Sequence, residues 1–231
     1  MIEGCKPVCI MDTDSLLFSF KLNCPPKWAI DRINQQFDLF FPYKVFEEYK
    51  NDFAEGRLSA YDDVRLDIDL FFKRKMNNDR VITQEVYSNC LKFVKRWFNL
   101  KGKQLEYSNL GEGEKHCVAL GLHLSRIKKE GLIVMTDDFR AINAGFDRFV
   151  IKQRVGLIHS LLGIMLFIYF VNRDISSSGI LGIVNDYFHI NQAKHYDFEQ
   201  FKQEILEDLK HSCREQNFYN CGLSCLIDED S

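Results

Sequence analysis

The chain lacks the excess of positive charge that marks proteins which coat a nucleic-acid duplex. It has 30 lysines and arginines against 33 aspartates and glutamates, and its formal net charge is -3. Nucleic-acid substrates stay open, because cations held by carboxylates can neutralise a phosphate. The chain also lacks a P-loop, a GxGxxG pattern and a GxSxG pattern. Nothing therefore supports a nucleotide site of those types or a serine hydrolase of the GxSxG type.

No basic region and no apolar signal core follow Met1, so we expect a cytoplasmic protein whose eight cysteines are reduced. The most apolar segment, residues 155–171, is interrupted by His159 and Ser160 and is shorter than the roughly 20 residues that a membrane span needs. We predict that it forms a buried core helix and that the protein has no membrane partner. Three cysteines lie in apolar stretches and are predicted to be buried: Cys9, Cys90 and Cys117.

Short apolar runs alternate with helical patterns along the chain. The runs are typical of buried strands in a parallel sheet, and we predict strands at residues 7–11, 37–41, 132–135 and 149–151. Apolar residues at helical spacing predict helices from residue 45, throughout residues 59–103 with a break at 77–79, over residues 111–131, after residue 138, and over residues 180–190 and 197–209. The alternation predicts an α/β fold with a central parallel sheet and helices on both faces.

Acidic residues follow two of the predicted strands. Asp12 comes directly after the first strand, and Thr136, Asp137 and Asp138 follow the strand at residues 132–135. The carboxyl ends of parallel strands meet at one edge of the sheet, so acids far apart in sequence can converge there. Clustered carboxylates repel one another unless a cation compensates, and hard oxygen ligands suit Mg²⁺ or Mn²⁺. Such a site can activate water and stabilise the charge that develops on a phosphodiester.

Four segments, taken in order, resemble the motifs of the PIN-domain nuclease family. Residues 8–17 (VCIMDTDSLL) resemble its opening strand, where an aspartate is followed by a hydroxyl residue and then by leucines. Residues 45–49 (VFEEY) are similar to its second acidic motif, and residues 110–114 (LGEGE) are similar to its glycine–glutamate motif at a helix start. Residues 132–141 (LIVMTDDFRA) resemble its last acidic motif.

The order and rough spacing of the four segments match the family, and the resemblance covers residues 5–172. It implies a PIN-like nuclease domain over residues 1–172, in which residues 59–103 form a helical insertion. A helical C-terminal tail, residues 173–231, would pack on that domain.

The resemblance also implies which residues form the site. The catalytic acids would be Asp12, Glu48, Glu112 and Asp138. The metal ligands would be Asp12, Glu112, Asp137 and Asp138. Supporting residues, among them threonines that orient carboxylates or water, would be Thr13, Asp14, Glu114, Thr136 and Arg140.

The implied cofactor is Mg²⁺ or Mn²⁺, and the implied reaction is hydrolysis of single-stranded or structured RNA to products with a 5′ phosphate and a 3′ hydroxyl. Many relatives are toxins of toxin–antitoxin pairs, and others are processing or defence nucleases. An antitoxin or another protein partner, and a homodimer, are both compatible with this resemblance.

Several alternatives stay open for the acids. Each of them could serve only as a helix cap or as a partner of the helix dipole. Glu112 and Glu114 lie two residues apart and point to nearly opposite sides of a helix, so at most one of them should face the site. Glu47 is a rival to its neighbour Glu48.

Two other functions also stay open. A catalytically silent PIN-like module that binds RNA or a partner is favoured if Glu48 and Glu112 both point away from Asp12. A haloacid dehalogenase-like phosphatase is the second alternative, because Asp12 and Asp14 resemble its acid pair and Lys115 could be its lysine. Four C-terminal residues depart from the usual spacing of zinc ligands, so zinc is not the favoured assignment for them: His211, Cys213, Cys221 and Cys225.

Overall fold

The structure, a computed structural model, describes residues 6–24, 27–101, 111–138, 147–172 and 177–191. Its strands are β1 (Val8–Met11), β2 (Asn23–Cys24), β3 (Lys27–Trp28), β4 (Asp38–Pro42), β5 (Val81–Ile82), β6 (Leu132–Met135) and β7 (Gly156–His159). Its helices are α1 (Thr13–Lys21), α2 (Ala29–Gln36), α3 (Tyr43–Ala54), α4 (Arg65–Asn77), α5 (Gln84–Lys101), α6 (Glu112–Lys128), α7 (Asp147–Lys152), α8 (Leu161–Asn172) and α9 (Ser177–Asn191). A 3₁₀ helix, Ser59–Val64, precedes α4.

Within the described chain, five strands form a parallel sheet in the order β5–β4–β1–β6–β7, and β2 pairs with β3 as an antiparallel hairpin. Strand β1 lies at the centre because all four of its side chains are apolar and buried, as in a strand covered on both faces. Its Ile10 is paired with Phe40 of β4 and with Val134 of β6. The predicted α/β fold with a central parallel sheet flanked by helices is confirmed.

The predicted insertion over residues 59–103 is not helical throughout, as far as it is described. Val81 and Ile82 form β5, which pairs in parallel with the end of β4 and becomes an edge of the sheet. Apart from these strand residues, the insertion follows the predicted pattern, with α4 ending at Asn77 and Asp79 adopting a positive φ of 54°. Two consecutive strand residues carry too little periodicity to be separated from a helix by pattern alone.

The strand predicted at residues 149–151 is wrong. Those residues lie in α7, which buries Phe149 and Val150 while leaving Ile151 exposed. The strand at this edge is β7, formed by the first part of the apolar segment 155–171, and α8 is formed by the rest. The single core helix predicted over residues 155–171 is therefore wrong, because Ser160 separates a strand from a helix. Hydropathy alone does not distinguish these two adjacent apolar runs.

Helix α9 continues the fold beyond residue 172. Its Ile180, Ile183 and Val184 are buried, as the apolar pattern over residues 180–190 predicts. The predicted helix at residues 197–209 and the four C-terminal cysteine and histidine residues weighed for zinc lie outside the described residues. In the described ranges, no helix combines the length and the apolar character that crossing a membrane requires.

Candidate active site

The carboxyl ends of β1 and β6 lie side by side where the chain changes direction across the sheet. From β1 the chain proceeds to β4 and β5 on one side, and it then returns to β6 and β7 on the other. Asp12 follows β1, and its backbone N–H donates a hydrogen bond of 3.1 Å to the Met135 carbonyl at the end of β6. In open parallel sheets, ligands bind outside the carboxyl ends of the strands at such a point.

Asp12 is buried at the N-cap of α1. Its Oδ1 accepts a hydrogen bond of 2.8 Å from the Ser15 backbone N–H, and the Thr136 side chain also hydrogen bonds to it. Burial raises the pKa of Asp12 well above its usual range, and the charges of Asp14 and Asp137 raise it further. A capping role explains the bond from Ser15, but it does not explain why other acids lie so near.

Asp137 is 1% exposed, and protein groups occupy both of its carboxyl oxygens. The hydroxyls of Ser15 and Tyr187 each donate to it at 2.5 Å, and the Leu161 backbone N–H donates at 3.1 Å. Burial raises the pKa of Asp137, while these three donors lower it. The structure thus places Asp137, expected among the metal ligands, as a brace that ties β6 to α1, α8 and α9.

Glu48 projects from α3 toward the start of α1. Thr13 Oγ1 donates a hydrogen bond of 2.9 Å to Glu48 Oε2. Burial raises the pKa of Glu48, and the hydrogen bond from Thr13 opposes that effect. Its neighbour Glu47 instead lies 3.6 Å from Lys44 on the surface. Glu48, rather than Glu47, therefore faces the end of β1.

The two glutamates that open α6 have opposite surroundings. Glu112 is exposed and forms ion pairs with Lys95 at 2.5 Å and with Lys115 at 2.9 Å. These lysines lower the pKa of Glu112 to about 2. Glu114 is half-buried, burial raises its pKa, and the charge of Asp138 raises it further. The structure therefore brings Glu114 to the strand-end acids and leaves Glu112 on the surface.

Gly111 and Gly113 leave room for two of the carboxylates. A Cβ atom on Gly113 would lie 2.7 Å from Glu48 Oε2, and a Cβ atom on Gly111 would collide with the Glu114 carboxylate. Larger residues at these positions would push both acids out of place. The glycine–glutamate motif therefore positions Glu48 and Glu114, although its first glutamate faces away.

Asp14 and Asp138 are half-buried beside these acids. Asp14 lies in the first turn of α1, and its charge raises the pKa of its neighbours Asp12, Glu48 and Glu114. Asp138 follows β6, and its backbone N–H donates a hydrogen bond of 3.2 Å to Thr136 Oγ1. Arg140, the remaining predicted supporting residue, lies outside the described residues.

We call five of these residues the strand-end acid cluster: Asp12, Asp14, Glu48, Glu114 and Asp138. Their oxygens are the hard ligands that Mg²⁺ and Mn²⁺ prefer, so the donor chemistry fits the expected cofactor. In the part of the chain that the structure describes, no three histidine, cysteine, aspartate or glutamate side chains are already gathered closely enough to hold a metal ion. The cluster therefore has the ligand types and the location that a divalent cation needs, but its carboxylates do not yet surround a single point.

Ser15 and Tyr187 are parts of the site that sequence reasoning missed. Ser15 lies in the first turn of α1 and ends the polar run of residues 12–15 after β1, and that run is the feature that could have suggested it. Tyr187 lies 50 residues beyond Asp137 in an apolar helix, where no pattern distinguishes it from other core residues.

The cysteines near the cluster are packing residues. Cys9 and Cys117 are fully buried, and Cys117 Sγ lies 3.9 Å from the Met11 carbonyl oxygen. Burial raises the pKa of both thiols, which keeps them protonated. The prediction that Cys9, Cys90 and Cys117 are buried is confirmed.

Comparisons of the chain with protein-family models, with curated proteins and with solved structures give no match. The likeness to PIN-domain nucleases therefore rests on the four motifs in the sequence. The fold and the site define only a broad class: parallel α/β proteins with carboxylates at the point between β1 and β6 where the strand order changes direction, which we call the switch point.

Proposed function

We propose that the protein is a metal-dependent endoribonuclease whose active site is the strand-end acid cluster. The observation that carries the proposal is the convergence of acids from four segments at the switch point between β1 and β6. Asp12 and Asp14 come from the junction of β1 and α1, Glu48 from α3, Glu114 from α6 and Asp138 from the end of β6. Burial raises the pKa values of Asp12 and Glu114, and the charges of neighbouring acids raise them further, so positive charge would stabilise the ionised site.

A divalent cation would supply that charge. The residues that would hold it are the cluster carboxylates, with Asp12, Glu114 and Asp138 beside the strand ends. Bound there, Mg²⁺ or Mn²⁺ would activate water and neutralise the charge that develops on an RNA phosphodiester. Because the ligands are not yet gathered around one point, Glu48 and Glu114, which have the longer and more flexible side chains, would complete the set by turning toward Asp12.

The surrounding residues would hold the acids in place. Thr13 fixes the Glu48 carboxylate, and Thr136 fixes Asp12, by hydrogen bonds that orient ligand oxygens. Asp137 would act indirectly, because its bonds to Ser15 and Tyr187 hold the end of β6 against its neighbours. Glu112 would have no direct part in the reaction, since two lysines already neutralise it.

Two contacts favour this proposal over its alternatives. A catalytically silent module is favoured only if Glu48 and Glu112 both point away from Asp12. Glu112 does, but Glu48 points toward the turn after β1. Lys115, which a phosphatase of the haloacid dehalogenase type would need near Asp12, instead forms an ion pair with Glu112. Toxin or defence roles, an antitoxin or other protein partner, a homodimer and a cytoplasmic location stay predictions from the sequence.

The experiment that tests the proposal is cleavage of a mixed pool of single-stranded and structured RNA in Mn²⁺ or Mg²⁺, with EDTA as the metal-free control. Wild type is compared with Asp12→Asn and Asp138→Asn. Asparagine keeps the N-cap hydrogen bond that Asp12 makes, so Asp12→Asn removes the charge while preserving the helix start. Asp67→Asn, the same change at an exposed position of α4, is the matched control.

We expect metal-dependent cutting by wild type and by Asp67→Asn, with rates at least about 100-fold lower in both cluster variants. Cutting that survives both cluster substitutions would overturn the assignment of the site. RNA binding without any cutting by wild type, in either metal, would replace the proposal with a silent RNA-binding module.

A further inference from the structure

A cleft lies at the opposite edge of the sheet from the strand-end acid cluster. It is open to solvent and has a volume of about 640 Å³ at the amino ends of β1 and β4, between α2, the end of α4 and the turn that leads into β5. Such a volume is within the range of roughly 300–1,000 Å³ that small-molecule sites occupy in proteins. Phe37 and Phe71 line it together with polar side chains.

Four cationic side chains line this cleft: Lys6, Arg74, Lys75 and Arg80. Two of them converge on one residue, because Lys6 Nζ donates to the Asn34 carbonyl at 3.0 Å and Lys75 Nζ donates to Asn34 Oδ1 at 2.7 Å. Among the described residues, no carboxylate lies within ion-pair distance of either ammonium group. The two lysines therefore bring positive charge together without a direct counter-ion from the described chain.

Lys75 shows the electrostatic consequence of this arrangement. Burial, opposed by Asp38 and assisted by the nearby charges of Arg80 and Lys6, lowers the pKa of Lys75 to about 8. Asp38 is already engaged, since Arg80 Nε donates to its Oδ1 at 2.7 Å. A bound anion would relieve the repulsion among these cations.

The acidic residues of the cleft restrict the size of that anion. The lining holds three aspartates, Asp31, Asp38 and Asp79, against the four cations, so its net charge is 4 − 3 = +1. Asp31 and Asp79 are exposed, so their charges would repel an extended polyanion lying along the cleft. A compact phosphate group would need to contact only Lys6 and Lys75. The asparagine side chains at 34, 77 and 78 can both donate and accept hydrogen bonds to the rest of such a ligand.

We propose that this cleft binds a phosphate-bearing small molecule of mononucleotide size, with the phosphate held between Lys6 and Lys75. Lysine ammonium groups bind phosphate as point charges, and Arg74 adds a planar guanidinium to the lining of the cleft. The proposal does not depend on the nuclease function, because the cleft shares no residue with the strand-end acid cluster.

The test is a calorimetric titration of the full chain with AMP, followed by competition with inorganic phosphate. The variants are Lys75→Met and Lys6→Met, which remove one ammonium each while keeping an unbranched side chain that is one heavy atom shorter. Lys73→Met is the matched control, because Lys73 is exposed on α4 and lies outside the cleft. Lys6 is exposed as well, so Lys6→Met tests the cleft even if the substitution of the half-buried Lys75 perturbs folding.

We expect saturable binding of AMP that inorganic phosphate displaces, with affinity about tenfold lower in each cleft variant and unchanged in Lys73→Met. The proposal is overturned by the absence of saturable binding up to about 10 mM AMP, a concentration at which a specific site of useful affinity would be filled. It is equally overturned if phosphate does not compete, or if Lys73→Met weakens binding as much as the cleft variants do.

Discussion

The Tyr187 hydroxyl donates a hydrogen bond of 2.5 Å to Asp137 Oδ1, which joins helix α9 to the acidic end of β6. Both residues are 1% exposed. Asp137 also accepts from Ser15 at the start of α1 and from the Leu161 backbone at the start of α8. One buried carboxyl therefore holds together the elements around the candidate active site, and α9 is part of that support.

Replacing Tyr187 with phenylalanine should lower the free energy of unfolding by about 1–3 kcal/mol, because it removes a donor from a buried carboxyl. Urea denaturation measures the change. Tyr43→Phe is the matched control, since Tyr43 is 39% exposed, and it should change stability by no more than about 0.5 kcal/mol. Equal stability of wild type and Tyr187→Phe would show that the Tyr187 bond does not brace Asp137.

Gly113→Ala should impair the site without weakening the fold. The new Cβ would lie 2.7 Å from Glu48 Oε2, so the Glu48 carboxylate must leave its place beside Thr13. Alanine is favoured over glycine inside a helix by about 1 kcal/mol, which offsets part of the strain. We expect cleavage of RNA to fall by about 10–100-fold, as when a residue that orients a metal ligand is lost, with little change in melting temperature.

Gly182→Ala is the control for that experiment, because a Cβ there meets nothing within 4 Å. It should keep full activity and raise stability by about 0.5–1 kcal/mol. If Gly113→Ala behaves in the same way as Gly182→Ala, the close approach of Glu48 to α6 has no role in the site.

The metal-free protein should lose stability as the pH rises above the ordinary range of carboxyl pKa values. Burial raises the pKa of Asp12, Glu48, Glu114 and Asp137, so the folded protein holds these protons more tightly than the unfolded chain does. Their stabilising contribution is complete below the unfolded pKa values, near 4, and declines as the pH rises through the folded values. Acids whose pKa is lowered in the folded protein, such as Glu112, make a stabilising contribution that is lost as the pH falls through the folded pKa.

Thermal unfolding between pH 5 and 8, with and without Mn²⁺, measures this effect. Mn²⁺ at 100 times its dissociation constant should restore about 2.7 kcal/mol at neutral pH, provided that it binds only the folded protein. Asp12→Asn should reduce both the pH dependence and the response to Mn²⁺. A flat profile that Mn²⁺ leaves unchanged would contradict the account of a charge-deficient cluster.

Lys75→Met should stabilise the ligand-free protein at neutral pH. Because burial lowers the pKa of Lys75 to about 8, the folded protein is penalised for its charge below that pH, and the penalty disappears as the pH rises toward the ordinary lysine value of 10.5. We expect the melting temperature to rise by about 2–4 °C at pH 7, the shift that ~1 kcal/mol produces in a chain of this size. The gain should shrink above pH 8, and Lys73→Met should show none. A gain that is independent of pH would mean that packing, and not charge, is responsible.

The two strands that precede Asp12 and Asp137 were predictable from the sequence. An uninterrupted apolar run of four residues that ends at polar and acidic residues is typical of a buried strand. The start of α6 after Gly111 was also predictable from its glycines and apolar stripe. Choosing between Glu112 and Glu114 was not, since it depends on the rotation of α6 about its axis. That rotation is set by packing against α3, α5 and the sheet, which carries Glu112 to Lys95 and Glu114 to Asp138.

The parts that could not be predicted depend on contacts between distant segments. β5 is a two-residue strand that exists only because it pairs with the end of β4. Residues 149–151 are the more continuously apolar run, but residues 156–159 form the strand because they pair with β6. The bond from Tyr187 to Asp137 spans 50 residues and has no local pattern at either end.

The most direct test of the central claim is the Mn²⁺-dependent rate of RNA cleavage by Glu114→Gln and Glu112→Gln, measured beside wild type. The two substitutions are chemically identical and lie two residues apart at the start of α6. The account predicts a rate at least about 100-fold lower for Glu114→Gln, because it removes a charge from the strand-end acid cluster, and a rate within about threefold of wild type for Glu112→Gln. Loss of cleavage in Glu112→Gln together with normal cleavage in Glu114→Gln, or no cleavage by wild type, would contradict it.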